Sequence, residues 1–193
     1  MGRSKAIILK LKKRKWLLLP LLVIGLIYYF LLPAPLFDKP YAAVLFDRNG
    51  ALLSARLPAD EQWRFPPKAE VSTKMKTSIL LQEDRYFPYH WGFNPWSLLR
   101  AAYWNIKSGK VLSGGSTISM QTIRLARDNP ARTISEKLWE IILATRLEWR
   151  YSKEEILAFY LANAPFGGNV VGIEAASWRY FGRSANELSW SES

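Results

Sequence analysis

Apolar residues form one uninterrupted run near the start of this 193-residue chain. Trp16 to Leu32 contains seventeen residues and no charge. A helix of that length spans roughly 25 Å at about 1.5 Å per residue, which is near the short limit for crossing a membrane. Trp16, Tyr28 and Tyr29 lie near its ends, where aromatic side chains favour the membrane interface. The pattern predicts a transmembrane helix over residues 16–32.

Positive charge is concentrated immediately before this run. Residues 1–15 carry seven lysines and arginines and no acids, so the net charge of +11 falls to +4 (20 basic against 16 acidic residues) without them. A basic tail beside an apolar run favours anionic lipid headgroups over nucleic acid. The positive-inside rule then places residues 1–15 in the cytoplasm and the chain after residue 33 outside. A cleaved signal peptide is the alternative, but residues 33–35 (Pro-Ala-Pro) make a poor cleavage site.

After the apolar run the pattern changes twice. Residues 33–40 contain prolines that block a helix, and they predict an extended linker. Val44–Asp47 and Ala51–Leu57 are β-prone runs on either side of Asn49-Gly50, and Asn-Gly between two such runs predicts a β-hairpin. Beyond Pro67 the spacing becomes helical and stays so.

Capping signals divide this helical part. Asn94-Pro95 is an N-cap and first-turn pair, and the Ser/Thr-x-x-Glu capping box occurs at Thr133, Ser152 and Ser184. Residues 108–115 predict a mobile glycine-containing loop. The helix opened at Ser184 has only about two turns before Ser193, too few for stability by itself, which indicates a domain that is incomplete at its C-terminus. One predicted helix ends at Glu83. The others span residues 94–106, 116–127, 133–150, 152–161 and 171–181. Residues 41–193 are therefore predicted to form one mainly helical domain beginning with a small hairpin.

Composition excludes several kinds of site. The chain has no cysteine, which excludes disulfides and thiolate metal sites. His90 is its one histidine, so the usual zinc-ligand spacings are absent. No serine is followed three residues later by lysine, which excludes serine acylation of the penicillin-binding type.

One polar cluster precedes the predicted loop, and a second begins at its end. Glu83-Asp84-Arg85 ends a helix, and a carboxylate facing an aromatic cleft can have its pKa raised enough for general acid–base catalysis. Alone, the triplet is more often a solvated helix end with a surface ion pair. Gly114-Gly115-Ser116-Thr117 leads into a helix, where free N–H groups bind anions, and Arg124 lies two turns further on. A plain glycine loop with a Ser/Thr cap is the equally supported alternative.

A third cluster lies on the long helix. Lys137 and Glu140 are three residues apart and share a face, which places a cation beside a carboxylate. Such a pair suits a phosphate leaving group and a sugar hydroxyl. Taken alone, it is more often an ordinary surface ion pair.

In this order, the clusters resemble the family 51 glycosyltransferases, the transglycosylase domain of class A penicillin-binding proteins. Met120 and residues 164–168 point to one subfamily within it. The matching segments are Glu83-Asp84-Arg85-x-Phe87-x-x-His90-x-Gly92, Gly114-Gly115-Ser116-Thr117-Ile118-Ser119-Met120-Gln121, Arg132-Thr133 with Lys137 and Glu140, Lys153-Glu154-Glu155-Ile156-Leu157 with Tyr160-Leu161, and Tyr180-Phe181-Gly182-Arg183.

The resemblance implies a lysozyme-like helical fold on the outer face of the bacterial inner membrane. It implies that lipid II and a growing undecaprenyl-linked glycan are the substrates, with other cell-wall synthesis proteins as further candidate partners and no nucleic acid. Glu83 would act as general base and Glu140 as the second catalytic carboxylate. No cofactor is obligatory, although a divalent cation (Mg²⁺ or Mn²⁺) at the pyrophosphate is compatible with the family, and no metal ligands are assigned. The implied substrate-binding residues are Asp84, Arg85, His90, Gly115, Ser116, Thr117, Gln121, Arg124 and Lys137.

Two positions depart from the family pattern. Glu136 stands where an arginine usually precedes Lys137, and Ala162 stands where an asparagine usually follows Tyr160-Leu161. Two alternatives to a glycan-polymerising enzyme stay open, and these departures, with the incomplete C-terminus, favour the first of them. One is an inactive, truncated module that binds lipid II or acts as a scaffold, and the other is a lysozyme-like enzyme that cleaves peptidoglycan.

Overall fold

The computed structural model describes residues 19–67, 72–111 and 114–193. The chain divides into two compact units, residues 1–36 and 37–193. In the first unit, residues 19–30 are helical, and most of the large apolar side chains there are exposed. The predicted basic tail and residues 16–18 of the predicted span lie outside the described residues. Within the described ranges, no helix has both the length and the apolar character needed to cross a membrane.

The second unit begins with the predicted hairpin. Strands β1 (Ala43–Phe46) and β2 (Leu52–Arg56) pair antiparallel. The Asp47 carboxylate accepts hydrogen bonds from the backbone N–H groups of Asn49 at 2.7 Å and Ala51 at 2.8 Å, which closes the turn. Gly50 takes a positive φ of 84°, a conformation that glycine adopts without strain. Local turn chemistry therefore determines this element, and its prediction is confirmed.

Six α-helices follow in the described residues of this unit, and the domain is mainly helical, as predicted. In each of α1 to α5, the side chain of the N-cap residue accepts a hydrogen bond from a backbone N–H in the first turn. Asn94 and Ser152 act as predicted, and Ser152 with Glu155 forms a complete capping box. The helices are α1 (Thr73–Glu83), α2 (Pro95–Ser108), α3 (Ile118–Ala126), α4 (Ile134–Arg150), α5 (Lys153–Asn163) and α6 (Ile173–Phe181).

Three local predictions are wrong in detail. Val171, predicted as the first residue of a helix, belongs instead to strand β4 (Val170–Val171), which pairs in parallel with β3 (Trp63–Arg64). Ser184 opens only a three-residue 3₁₀ turn, at whose start the carboxylate of Glu174 accepts the backbone N–H of Ala185. Glu136 does not complete a capping box at Thr133, since its carboxylate pairs with Arg127 instead.

Helix α3 is the centre of the core and packs against both α4 and α5. Ile118, Met120 and Ile123 on α3 are fully or almost fully buried, as is Leu147 on α4. Burial of large aliphatic side chains stabilises a fold by about 1.5–3 kcal/mol each. A hydrogen bond from the backbone N–H of Ile118 to Asp84 joins the start of α3 to the end of α1, and the candidate site lies at this junction.

Candidate active site

Glu83, the last residue of α1, borders two adjoining cavities. One has a volume of about 620 Å³, and its wall includes Arg124, Arg132 and Lys137; we call it the phosphate cavity. The other has a volume of about 310 Å³ and lies toward Arg85 and Arg100; we call it the middle cavity. Both are bordered by Gly114 and Gly115. A carboxylate is thus placed between two groups of cations.

The Glu83 carboxylate is held by a side chain of α3. Gln121 donates a hydrogen bond from Nε2 to Glu83 Oε2 at 3.0 Å. Tyr160 on α5 donates in turn from its hydroxyl to Gln121 Oε1 at a long 3.5 Å. Burial, with a smaller contribution from the negative charge of Glu83, raises the pKa of Tyr160 to about 12, so the phenol keeps its proton near neutral pH. Gln121 therefore orients the candidate base.

Asp84 is buried and turned away from Arg85. Its Oδ2 accepts hydrogen bonds from His90 Nε2 at 2.9 Å and from the backbone N–H of Ile118 at 3.0 Å. The surface ion pair considered for this triplet is not formed by Asp84 in the described residues, because a buried histidine and a helix N–H satisfy its carboxylate instead. These bonds join the end of α1 to the first turn of α3. Asp84 and His90 therefore hold the two segments that carry Glu83 and Gln121 next to each other.

Two glycines allow the surrounding segments to approach closely. Gly92 has a φ of 94°, and a Cβ there would lie 2.6 Å from the backbone carbonyl carbon of Ala144. The carbonyl oxygen of Gly92 accepts a hydrogen bond from Thr117 Oγ1 at 2.5 Å. A Cβ on Gly115 would lie 2.9 Å from the backbone of Leu98 on α2. Both close contacts require glycine.

A supporting ion pair lies behind His90 and was missed by sequence reasoning. Lys153 donates to the carbonyl oxygen of His90 at 2.6 Å and to Glu148 Oε1 at 2.7 Å. Ser119 donates to the same carboxylate oxygen. Lys153 belongs to a recognised motif, but nothing in the local sequence marks Glu148, whose partners come from two other helices.

The opposite wall is formed by a buried carboxylate with two cations. Arg124 binds Glu140 through two hydrogen bonds, Nε to Oε1 at 2.5 Å and Nη2 to Oε2 at 2.8 Å. Lys137 Nζ lies 3.5 Å from Glu140 Oε2 and donates to Ser116 Oγ. Burial lowers the pKa of Lys137, whereas the hydrogen bond to Glu140 raises the pKa of Arg124.

Glu136 changes the charge of this wall. It borders the phosphate cavity, and its carboxylate pairs with Arg127 Nη1 at 2.5 Å. Glu136 stands where the family usually has an arginine, so this wall gains a carboxylate, and Arg127 balances its charge. Arg132 borders the same cavity and takes part in none of the ion pairs found in the described ranges.

The residues singled out in the sequence lie around one cleft. Those bordering the phosphate cavity are Glu83, Gly115, Ser116, Gln121, Arg124, Lys137 and Glu140. Asp84, Arg85 and Thr117 border the middle cavity. His90 is buried between Asp84 and Lys153, and it borders a third cavity next to the middle cavity.

The carboxylates do not converge on a metal site. No group of three or more metal-ligating side chains occurs in the part of the chain that the structure describes. Each Glu140 oxygen accepts a hydrogen bond from Arg124, so the charge of this carboxylate is already balanced by a cation. The described residues therefore do not fit a protein-held divalent cation, and no step is assigned to one.

Comparison with known proteins supports the motif assignment. The Transglycosylase family model matches residues 49–193. Penicillin-binding protein 1C of Escherichia coli (strain K12) is 44% identical over 161 residues, covering 83% of this chain and 21% of that protein. The subfamily indicated by Met120 and residues 164–168 is that of protein 1C, and this similarity confirms the interpretation.

Shorter relatives match the same part of the chain. Biosynthetic peptidoglycan transglycosylase of Pasteurella multocida (strain Pm70) is 33% identical over 154 residues, covering 79% of this chain and 62% of that protein. The corresponding protein of Acinetobacter baylyi (strain ATCC 33305 / BD413 / ADP1) is 35% identical over 150 residues, covering 78% and 66%. This chain thus spans about a fifth of penicillin-binding protein 1C and about two thirds of these shorter relatives. By the family match over residues 49–193, the chain belongs to the transglycosylase family.

Proposed function

We propose that this chain is a peptidoglycan glycosyltransferase that polymerises lipid II into glycan strands. The observation that carries the proposal is the placement of Glu83. Its carboxylate is held by Gln121 at the boundary of two cavities, one of which is walled by Arg124, Arg132 and Lys137. A base beside a cation-lined cavity suits transfer of a sugar from a diphosphate to a hydroxyl.

In the proposed reaction, the 4-hydroxyl of the acceptor sugar attacks the anomeric carbon of the donor. The O–H bond breaks and its proton passes to a Glu83 oxygen, while the new O–C bond forms. The bond between the anomeric carbon and the phosphate oxygen breaks, and both of its electrons leave with undecaprenyl pyrophosphate. Attack from the face opposite the leaving group inverts the configuration from α to β.

The phosphate cavity would stabilise the charge that develops on the leaving group. Arg124 and Lys137 are cations already held in place by Glu140, so they need little rearrangement as the pyrophosphate departs. The Gly114–Thr117 segment, which leads into the positive end of the α3 dipole, adds partial positive charge. In this proposal Glu140 acts by positioning the two cations, because both of its oxygens are occupied.

The same features distinguish polymerisation from cleavage. A mainly helical domain with a glutamate at a helix end is compatible with a lysozyme-like fold, which we propose for residues 41–193. A hydrolase acting on glycan alone has no diphosphate to neutralise, so it has no need of the cations in the phosphate cavity. These cations favour a lipid-linked sugar diphosphate as the donor.

Attachment to the membrane is part of the proposal, because both substrates carry polyprenyl chains. The apolar run at residues 16–32 would anchor the chain with residues 1–15 in the cytoplasm and the catalytic domain outside. Helix α2 also carries exposed apolar side chains, including Trp96, Leu99 and Ile106. These side chains would rest in the bilayer surface beside the lipid substrates.

The test uses labelled lipid II and the whole chain in detergent. We expect polymer from the parent protein and at least a 100-fold lower rate from Glu83→Gln, since general base catalysis contributes about 10²–10⁴-fold. Glu154→Gln, on the exposed face of α5, is the matched control and should keep the parent rate.

Each result has one interpretation. Polymerisation by Glu83→Gln at the parent rate would show that the base is wrongly assigned. Lipid II binding without any polymer from the parent would favour the inactive binding module. Soluble muropeptides released from purified cell wall would favour the cleaving enzyme.

A further inference from the structure

Two ion pairs join the end of α3 to the first half of α4. Arg124 on α3 binds Glu140, and Arg127 at the end of α3 binds Glu136 in the first turn of α4. The two arginines are three residues apart and the two glutamates four, so like charges follow one another at about one helical turn. We call Arg124–Glu140 the inner pair and Arg127–Glu136 the outer pair.

The two pairs differ in how they meet the phosphate cavity. Both members of the inner pair border the cavity. Of the outer pair, Glu136 borders it, whereas Arg127 is not among the described residues of its wall. The outer pair therefore places its negative member at the cavity and its positive member farther away.

The charged side chains of this wall balance one another. Those that border the cavity in the described part of the chain are Glu83, Arg124, Arg132, Glu136, Lys137 and Glu140. Three of them are cations and three are carboxylates, so their formal charges cancel. Glu140 holds two of the cations, and Glu83 is the candidate base. Glu136 is therefore the carboxylate of the wall that has no part in the proposed reaction.

The position of Glu136 in α4 has a local explanation, which is separable from its place at the cavity. A carboxylate in the first turn of a helix is stabilised by the helix dipole. That contribution does not depend on the cavity, whereas the charge of Glu136 acts on any anion bound there. The first effect changes the stability of the fold, and the second changes the affinity for the anion.

We propose that Glu136, held in place by Arg127, weakens the binding of the pyrophosphate product in the phosphate cavity and so speeds its release. The inference rests on the proposed function and adds a residue that sets how long the product stays. The next donor cannot enter this cavity until the product has left, so slow release would delay every turnover.

The charge of the product makes this effect selective. In the donor, both phosphates are esterified, and the diphosphate carries two negative charges. In undecaprenyl pyrophosphate the terminal phosphate is a monoester, whose second ionisation has a pKa of about 6, so a third charge is present near neutral pH. A fixed carboxylate at the cavity therefore repels the product more than it repels the donor.

The test measures product inhibition of polymerisation by the whole chain in detergent. Undecaprenyl pyrophosphate is added at increasing concentrations, and its inhibition constant Ki is determined for the parent, Glu136→Gln, Arg127→Gln and the double variant. Calorimetric titration of the same compound measures its equilibrium binding to each protein. The donor KM is measured in parallel.

We expect the two single variants to change Ki in opposite directions. Glu136→Gln should lower Ki about threefold to tenfold, because it removes a repulsive charge from a partly exposed position where solvent screens it. Arg127→Gln should raise Ki, because Glu136 then lacks the cation that offsets its charge. The double variant loses both charges, so its Ki should lie between those of the single variants. The donor KM should change less than Ki.

A purely structural role of the outer pair gives a different pattern. If the pair only held α3 against α4, breaking it from either side would disturb the cavity alike, and both single variants would shift Ki in the same direction. That result, or an unchanged Ki in Glu136→Gln, would overturn the proposal. Glu154→Gln makes the same change of charge on the exposed face of α5 and should keep the parent Ki.

Failure of the proposed function is a separate outcome of the same assay. In that case the parent protein forms no polymer. If only the present inference is wrong, the parent polymerises lipid II and the two single variants do not show opposite shifts of Ki.

Discussion

At the scale of single residues, the candidate site is organised by carboxylates in three different environments. Glu83 accepts from a neutral amide, Asp84 is bound by a histidine and a backbone N–H, and Glu140 is bound by an arginine and a lysine. Removing one partner of a buried ion pair leaves an uncompensated charge and typically costs about 3–5 kcal/mol. In the proposed mechanism, Glu83 is the base, and the other two carboxylates hold the surrounding groups in position.

Lys137 leads to a prediction about pH. Burial lowers its pKa, so as pH rises the ammonium group loses its proton earlier than an ordinary lysine would. The cation that we propose to assist the leaving pyrophosphate would then be lost at the alkaline side of the pH profile. In Lys137→Arg the charge persists, so we expect the alkaline limb of kcat/KM to move to higher pH.

The measurement is the pH dependence of polymerisation by the parent protein and the variant. Lys39→Arg, at an exposed surface ion pair, is the control and should not move the limb. An alkaline limb that stays at the same pH in Lys137→Arg would show that another group titrates there.

At the scale of elements, the site depends on how closely segments approach one another. Gly92 lies against the backbone of α4, and Gly172 would place a Cβ 2.5 Å from the carbonyl oxygen of Ala162 on α5. The contact at Gly92 holds the segment that carries His90 against the helix that carries Glu140. The geometry of the cleft is therefore sensitive to a single methyl group at this point.

We predict that Gly92→Ala destabilises the protein by about 1–3 kcal/mol more than Gly109→Ala. Both glycines have positive φ, 94° and 65°, so both variants carry backbone strain. A Cβ on Gly109 meets no atom within 4 Å, whereas a Cβ on Gly92 overlaps the Ala144 backbone. Urea unfolding measures the free energy of unfolding of both variants, and the difference between them reports the overlap at Gly92. Equal destabilisation would argue against a tight contact there.

At the scale of the whole molecule, apolar surface is a prominent feature of residues 37–193. Trp96, Leu99 and Ile106 on α2 are at least 62% exposed. Lys107 lies over the rings of Tyr103 and Trp104 on the same helix, at 5.7 and 5.3 Å from their centroids. Aromatic rings with an adjacent lysine are typical of surfaces that contact anionic bilayers.

A fragment of residues 37–193 is predicted to bind vesicles containing anionic lipid without the N-terminal run. Replacing Trp96 and Ile106 by serine should weaken binding at least about tenfold, because two large side chains lose their burial in the bilayer. Leu45→Ser with Leu53→Ser, exposed apolar positions on the hairpin, is the matched control. Cosedimentation measures both, and an equal loss in the control pair would show that α2 is not the contacting helix.

The sequence by itself determined the elements whose signals are local. Asn49-Gly50 specified the hairpin, and Asn94-Pro95 and Ser152 with Glu155 specified two helix starts. Each signal involves groups within a few residues of one another, so no distant contact is needed to make the bond. Five ordered motifs likewise identified the family, and they named the residues that line the cleft.

Only the tertiary structure decided which partner each polar group chose. Asp84 binds His90 and Ile118 rather than Arg85, and Glu136 binds Arg127 rather than its own N-cap. β4 forms at residues 170–171 because it can pair with β3, a segment far away in sequence. Several partners were chemically acceptable in each case. The choice was made by packing, which determines the groups within hydrogen-bonding distance and the groups left facing the cleft.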